Sequence, residues 1–174
     1  EAAVEQGLLQ GGPDAPRRRP AALALDARPE FGKMPPGGYH RRRPEDYDRG
    51  LCLIQRDVVD FILATQPKEW DRLKEHYRAD VKERFVRRLS DEIGRMGSLD
   101  VLRNGVKDSG CKFKLAYFRP ATSLNVDLER MHAANLFSVV RQVHYSEKNE
   151  KSLDLALFLN GIPIFTAEVK NPLT

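Results

Sequence analysis

The sequence predicts an α/β (α+β) fold in which helices flank a mixed β-sheet. Three observations carry this. Apolar residues recur at helical spacing between residues 56 and 96, the pattern turns strand-like after Gly105, and residues 153–169 form two apolar runs joined by Asn160-Gly161. Helices first, then strands with one helix inserted among them, is the order of a sheet covered by helices.

Taken in order, Glu1 to Gln10 reads as one short helix stopped by Gly11-Gly12-Pro13. Residues 1–44 as a whole are rich in Ala, Gly, Pro and Arg, with the runs Arg17-Arg18-Arg19 and Arg41-Arg42-Arg43, and read as a basic, poorly ordered tail. A phosphate-contacting arm is the alternative reading of those arginines. The globular part is expected over residues 45–174. Val58, Val59, Phe61, Ile62 and Leu63 mark a buried helix that ends near Gln66. Pro67 suits the first position of a second helix carrying Trp70, Leu73 and Tyr77. A third helix, about Ala79 to Met96, sets Val81, Phe85, Leu89 and Ile93 in one stripe, with Gly97 as its C-cap and Ser98 capping a further short turn. Lys112 to Phe118 reads as a strand, Asn125 to Ala134 as a helix capped by Asn125, and Leu136 to Tyr145 as a strand.

Composition narrows the functional classes. The chain has 174 residues, 41% hydrophobic and 31% charged, with a formal charge of +4 and a pI near 9.1. That describes a globular protein able to meet nucleic acid without requiring it. No run of roughly 18 apolar residues occurs, so no membrane helix is expected. Cys52 and Cys111 stand far apart with no metal-ligand spacing, as free thiols in a reducing cytoplasm would. His132 and His144 lack ligand partners at helical spacing, and no phosphate-binding Gly-Lys-Ser/Thr loop is present.

The most informative stretch is Ser152 to Lys170. Asn160-Gly161 is a strong hairpin signal, and Asp154, Glu168 and Lys170 interrupt an otherwise apolar ribbon. A charge in a half-buried strand is costly unless paired or metal-bound. With Asn160 and Gly161 alone as a two-residue turn, Leu159 would face Ile162, Asp154 would face Ala167, and Glu168 would point to the other side. With a three-residue loop and a bulge at Gly161, Phe158 pairs with Ile162 and Asp154 faces Thr166. All three charges then share one side, and the other side is wholly apolar. The second register is the expectation. It makes Asp154 and Glu168 diagonal neighbours, able to converge on one Mg2+ ion, with Lys170 beside them to position a water. An ordinary salt bridge between Asp154 and Lys170 is the alternative.

Three strings carry a family resemblance: Leu102-Arg103-Asn104-Gly105-Val106-Lys107, Leu115-Ala116-Tyr117-Phe118-Arg119-Pro120, and Arg141-Gln142-Val143-His144-Tyr145-Ser146 running on to Lys170. Over residues 38–174 the chain closely resembles the N-terminal region of type I restriction enzyme endonuclease (R) subunits. The resemblance implies a restriction-endonuclease-like PD-(D/E)xK nuclease domain that cleaves double-stranded DNA with Mg2+, a type I site-specific deoxyribonuclease. It implies Asp154 and Glu168 as metal ligands and Lys170 as the lysine assisting the attacking water. It also implies methyltransferase and specificity subunits as partners, with ATP used only by motor domains outside this sequence. In that family a helix bearing Gln-x-x-x-Tyr follows the lysine, whereas this sequence stops four residues after Lys170, so a truncated domain is expected. Related nucleases often add a helix-borne acidic residue. Glu1 and Glu5 are the early candidates, and that role is unassigned. The alternatives are a non-catalytic remnant or a DNA-binding assembly module, or another PD-(D/E)xK nuclease of repair or recombination.

Overall fold

A computed structural model describes residues 2–10, 38–121 and 124–170. Among them are six α-helices, a four-stranded mixed sheet and a separate two-stranded hairpin. The helices are α1 (Ala2–Gln10), α2 (Gln55–Thr65), α3 (Pro67–Tyr77), α4 (Val81–Met96), α5 (Ser98–Asn104) and α6 (Val126–Ala133). The strands are β1 (His40–Arg42), β2 (Val106–Asp108), β3 (Cys111–Phe113), β4 (Phe137–His144), β5 (Ser152–Leu159) and β6 (Ile162–Ala167). The main sheet runs β1-β4-β5-β6, with β1 parallel to β4 and the remaining pairs antiparallel. α1 and β1 both come from the stretch read as a tail, whose residues 11–37, Arg17 to Arg19 included, lie outside the described residues.

The helices form where the apolar spacing placed them. α4 buries Phe85, Val86 and Leu89 on one face and shows its arginines and acids on the others. Trp70 of α3 meets Phe85 and Phe113 edge-on in the largest apolar cluster. α5 starts after Gly97 as its N-cap, so Ser98 is its first residue rather than its cap. Asn125 caps α6 as expected, its side-chain oxygen accepting the Leu128 N–H at 3.1 Å.

Two features depart from the sequence reading. The strand expected over Lys112 to Phe118 stops at Phe113, having paired with β2 through a turn at Ser109 and Gly110, both with positive φ. Beyond Phe113 the backbone is held by side-chain amides instead of a neighbouring strand. Gln66 bonds both the N–H and the C=O of Lys114, and Asn135 does the same for Tyr117. Every backbone donor and acceptor needs a partner, and here amides supply it. Side chains so far away in sequence leave no local pattern.

The second departure is the hairpin register. Asn160 (φ 52°) and Gly161 (φ 80°) form a two-residue turn with both residues left-handed, and Leu159 pairs with Ile162. Phe158 then pairs with Pro163 but Leu157 with Phe165, so the extra residue is Ile164. The bulge exists, but it sits within β6 and not at Gly161. The expected pairing of Asp154 with Thr166 is therefore corrected: Thr166 lies opposite Ala156.

The turn is held where it is by burial. Asn160 is 1% exposed; its side-chain oxygen accepts from the Leu136 N–H at 2.7 Å, and its amide donates to Leu115 C=O at 2.8 Å and Asn135 at 3.1 Å. Gly161 C=O accepts from the Ile54 N–H at 2.9 Å at the head of α2. A Cβ on Gly161 would run into the Ile54 carbonyl, so the position needs glycine for contact as well as for its φ.

On the α2 side of the sheet, the fully buried Asp57 takes two bonds from Arg42 Nε (3.0 and 3.2 Å) and one from Ser138 Oγ (2.6 Å). Burial pushes the Asp57 carboxyl up, and Arg42 and Ser138 oppose it. This triad ties β1, α2 and β4 together.

Asn160→Ala strands three buried polar partners and is expected to lower stability by at least about 2 kcal/mol in urea unfolding. A loss near zero would show that the turn is not the anchor. For the register, Leu157→Cys/Phe165→Cys is expected to cross-link on mild oxidation, because directly opposed residues lie within disulfide reach. Leu157→Cys/Pro163→Cys, the pair demanded by a bulge at Gly161, is expected to stay reduced; the reverse outcome would move the bulge back to the turn.

Candidate active site

Leu155 opposite Ala167 is the last ladder pair of β5 and β6. Continued one step beyond the ladder, the same register would set Asp154 across from Glu168. The contact is made by the backbone: Val169 N–H donates to Asp154 Oδ2 at 2.7 Å. Directly opposed residues share a face, with Cβ atoms roughly 4.5–5.5 Å apart. That register sets the two carboxylates across from each other rather than on the expected diagonal. Asp154 is half-buried, and Glu168 and Lys170 are exposed just beyond the end of β6.

Strand alternation fixes which face this is. Ala156 and Phe158 pack with Ile54 and Tyr47 under the start of α2, while Leu155 packs with Val139 and Leu9 of α1. Asp154 lies two residues before Ala156, so it shares the α2 face, and Thr166 and Glu168 follow on β6. The opposite face is apolar at Leu155, Leu157, Phe165 and Ala167, as the pattern demanded, although Phe165 remains 54% exposed.

Glu168 and Lys170 face solvent, and Lys170 follows Glu168 by two residues. Among the described residues no ion pair joins Asp154 to Lys170, so the salt-bridge alternative finds no support in the structure. No group of three or more His, Cys, Asp and Glu among the described residues is placed to hold a metal ion. His144 instead lies 3.5 Å from Glu150, and both cysteines are free.

Glu5, one of the two early acidic candidates, is held by two arginines. It is 5% exposed on α1 and pairs with Arg41 Nε (2.9 Å) and Arg141 Nη1 (3.2 Å). Arg141 sits opposite Leu155, on the α1 face, so Glu5 bonds to the sheet's other side from Asp154. Glu1 lies outside the described residues.

One residue beside Asp154 gave no sequence signal. Gln142 of β4 lies across from it, with a φ of 51° in the middle of a strand. Its amide nitrogen is 3.5 Å from Asp154 Oδ1, and its oxygen accepts from Ser152 Oγ at 3.1 Å. Nothing in the string Arg141-Gln142-Val143 announces a left-handed residue.

Comparison with known proteins gives one family, described as the type I restriction enzyme R protein N terminus, matching residues 56–174. The match begins at the second residue of α2 and includes the whole β5–β6 hairpin with Asp154, Glu168 and Lys170; α1 and β1 precede it. No curated protein and no solved structure matches the chain. With well over half of its residues inside that match, the chain belongs to the family of type I restriction enzyme R protein N-terminal regions.

Proposed function

We propose that this chain is the nuclease part of a type I restriction endonuclease subunit and hydrolyses phosphodiester bonds of double-stranded DNA with Mg2+. The observation that carries the reading is the register of the hairpin. It brings Asp154 and Glu168 to one open face, with Lys170 two residues on, in a chain of this family.

The donor set suits the ion. Asp154 and Glu168 offer hard carboxylate oxygens, and Mg2+ commonly takes one or two protein carboxylates while keeping several waters. Two carboxylates are therefore a workable Mg2+ set, though a poor one for Zn2+, which takes three or four His, Cys or acidic ligands, and no such group occurs among the described residues. When bound, the ion polarises a phosphoryl oxygen and lowers the pKa of a coordinated water. The chain's own residues do the rest. Val169 N–H fixes Asp154 Oδ2, so the carboxylate is aimed before any ligand arrives. Glu168 presents its anionic oxygens from the facing strand end. Lys170 Nζ, a point charge on a flexible stem, orients the attacking water and offsets negative charge developing on phosphate.

The reading sets the partners: duplex DNA, and methyltransferase and specificity subunits that select the target, in the cytoplasm. ATP belongs to motor domains encoded outside these residues. No described helix is long and apolar enough to cross a membrane. A DNA-binding or assembly module without cleavage is the second reading, favoured by the absence of a third acidic ligand among the described residues.

Nicking of supercoiled DNA in Mg2+ separates the two. Wild type is expected to cut, and Asp154→Asn and Lys170→Ala to lose roughly 100-fold or more in rate. Undiminished cutting by either variant would sink the site assignment. Equal inactivity of all three would favour the binding module.

A further inference from the structure

We propose that Gln142 is the positioning residue for Asp154: a strand residue held in a strained backbone conformation so that its amide grips the metal-binding carboxylate. The proposal rests on the reading of Asp154 as a Mg2+ ligand.

Three independent observations meet at this residue. The first is backbone strain. Gln142 has a φ of 51°, a region that residues with a Cβ enter at a cost and that glutamine has no special means to tolerate. Such strain persists where the surroundings enforce it, and it gathers at functional sites. The second is in the ladder. β4 and β5 pair at Arg141–Leu155 and again at Val143–Leu153, and Gln142 stands across from Asp154 at the step between them. The alternation of β4 slips there, so that Val140 and Val143, three residues apart, join one apolar cluster. The third is the side chain. Nε2 lies 3.5 Å from Asp154 Oδ1, an acceptor-only carboxylate that calls for the NH2 on its side, and Oε1 is left to accept from Ser152 Oγ at 3.1 Å.

Asp154 is thereby addressed from both neighbouring strands. Val169 N–H of the β6 side holds Oδ2 at 2.7 Å, and the Gln142 amide of β4 stands at Oδ1. Amide hydrogens from two sides fix the carboxylate plane while leaving its remaining lone pairs for a cation. A neutral amide does this without adding a charge that would repel the carboxylate or compete with the metal. The contact at 3.5 Å is long, as expected of a site whose ligand is yet to draw it together. Ser152, two residues before Asp154 on the same strand face, acts only through Gln142.

The test uses Mn2+ as the probe, with affinity read by calorimetry and apo stability by thermal unfolding. Gln142→Gly removes the amide but relieves the backbone, since glycine adopts positive φ freely. It is expected to weaken Mn2+ binding by about 10- to 100-fold while leaving the apo unfolding midpoint unchanged or higher. A residue of merely structural importance would instead lower the midpoint and spare the affinity. Ser152→Ala should weaken binding less, and the double variant no more than Gln142→Gly alone. If wild type binds Mn2+, Asp154→Asn does not, and Gln142→Gly binds like wild type, the proposal is overturned and the metal site stands. If wild type itself binds no Mn2+, both fall.

Discussion

A pair of buried residues at a hairpin tip sets the register of the ribbon whose strands carry Asp154, six residues before Asn160, and lead to Glu168, seven residues after Gly161. The amide of Asn160 is enclosed by Leu115, Asn135 and Leu136, and Gly161 is pressed against the first turn of α2. Neither can slide without stranding buried hydrogen-bonding groups, so the ladder of β5 and β6 is counted from a fixed origin. From that origin a regular ladder would turn Glu168 away from Asp154. The single extra residue at Ile164 shifts that register by one, keeping Leu155, Leu157, Phe165 and Ala167 on the apolar side, and continued past Ala167 it would turn Glu168 to the side of Asp154. One bulge thus keeps the apolar face packed, and the proposed Mg2+ site depends on the same bulge.

Ionic groups brace the sheet on both sides of this hairpin, and in both cases arginine meets a buried carboxylate. On the α2 face Arg42, Asp57 and Ser138 lock the edge strand β1 to β4. On the other face Glu5 joins α1 to Arg41 and Arg141. Buried pairs of this kind add little net stability but are costly to break singly, so they specify which elements meet. α1 and β1 precede the family match, yet both are tied into the sheet that carries it. The adjacent arginines Arg41 and Arg42 thus address opposite faces, which is what strand alternation requires.

Much of this was legible in the sequence because it rests on local pattern. The apolar spacing of Val58 to Leu89 fixed helices, Pro67 and Asn125 marked helix starts, and the apolar runs around Asn160-Gly161 gave the hairpin. The apolar side of the hairpin was legible too, since Leu155, Leu157, Phe165 and Ala167 pair on one face as the hydrophobic pattern required. The position of the bulge did not, since the fit of Gly161 against Ile54 is a tertiary contact with no trace in spacing. The edge strand His40–Arg42 was hidden for the same reason: three polar residues in a row read as tail until Asp57, fifteen residues on, supplies the partner. Gln142 was invisible because its backbone conformation is imposed by its surroundings and not by its side chain.

The central claim is that the hairpin register makes a divalent-cation site of Asp154 and Glu168. Paramagnetic broadening of backbone amide signals by Mn2+ at sub-stoichiometric concentration tests it most directly, because it maps the ion without relying on cleavage. The account predicts broadening centred on Asp154, Leu155, Glu168 and Val169, with Gln142 next and the α1 face spared. Broadening centred elsewhere, or spread evenly over the acidic surface, would contradict it.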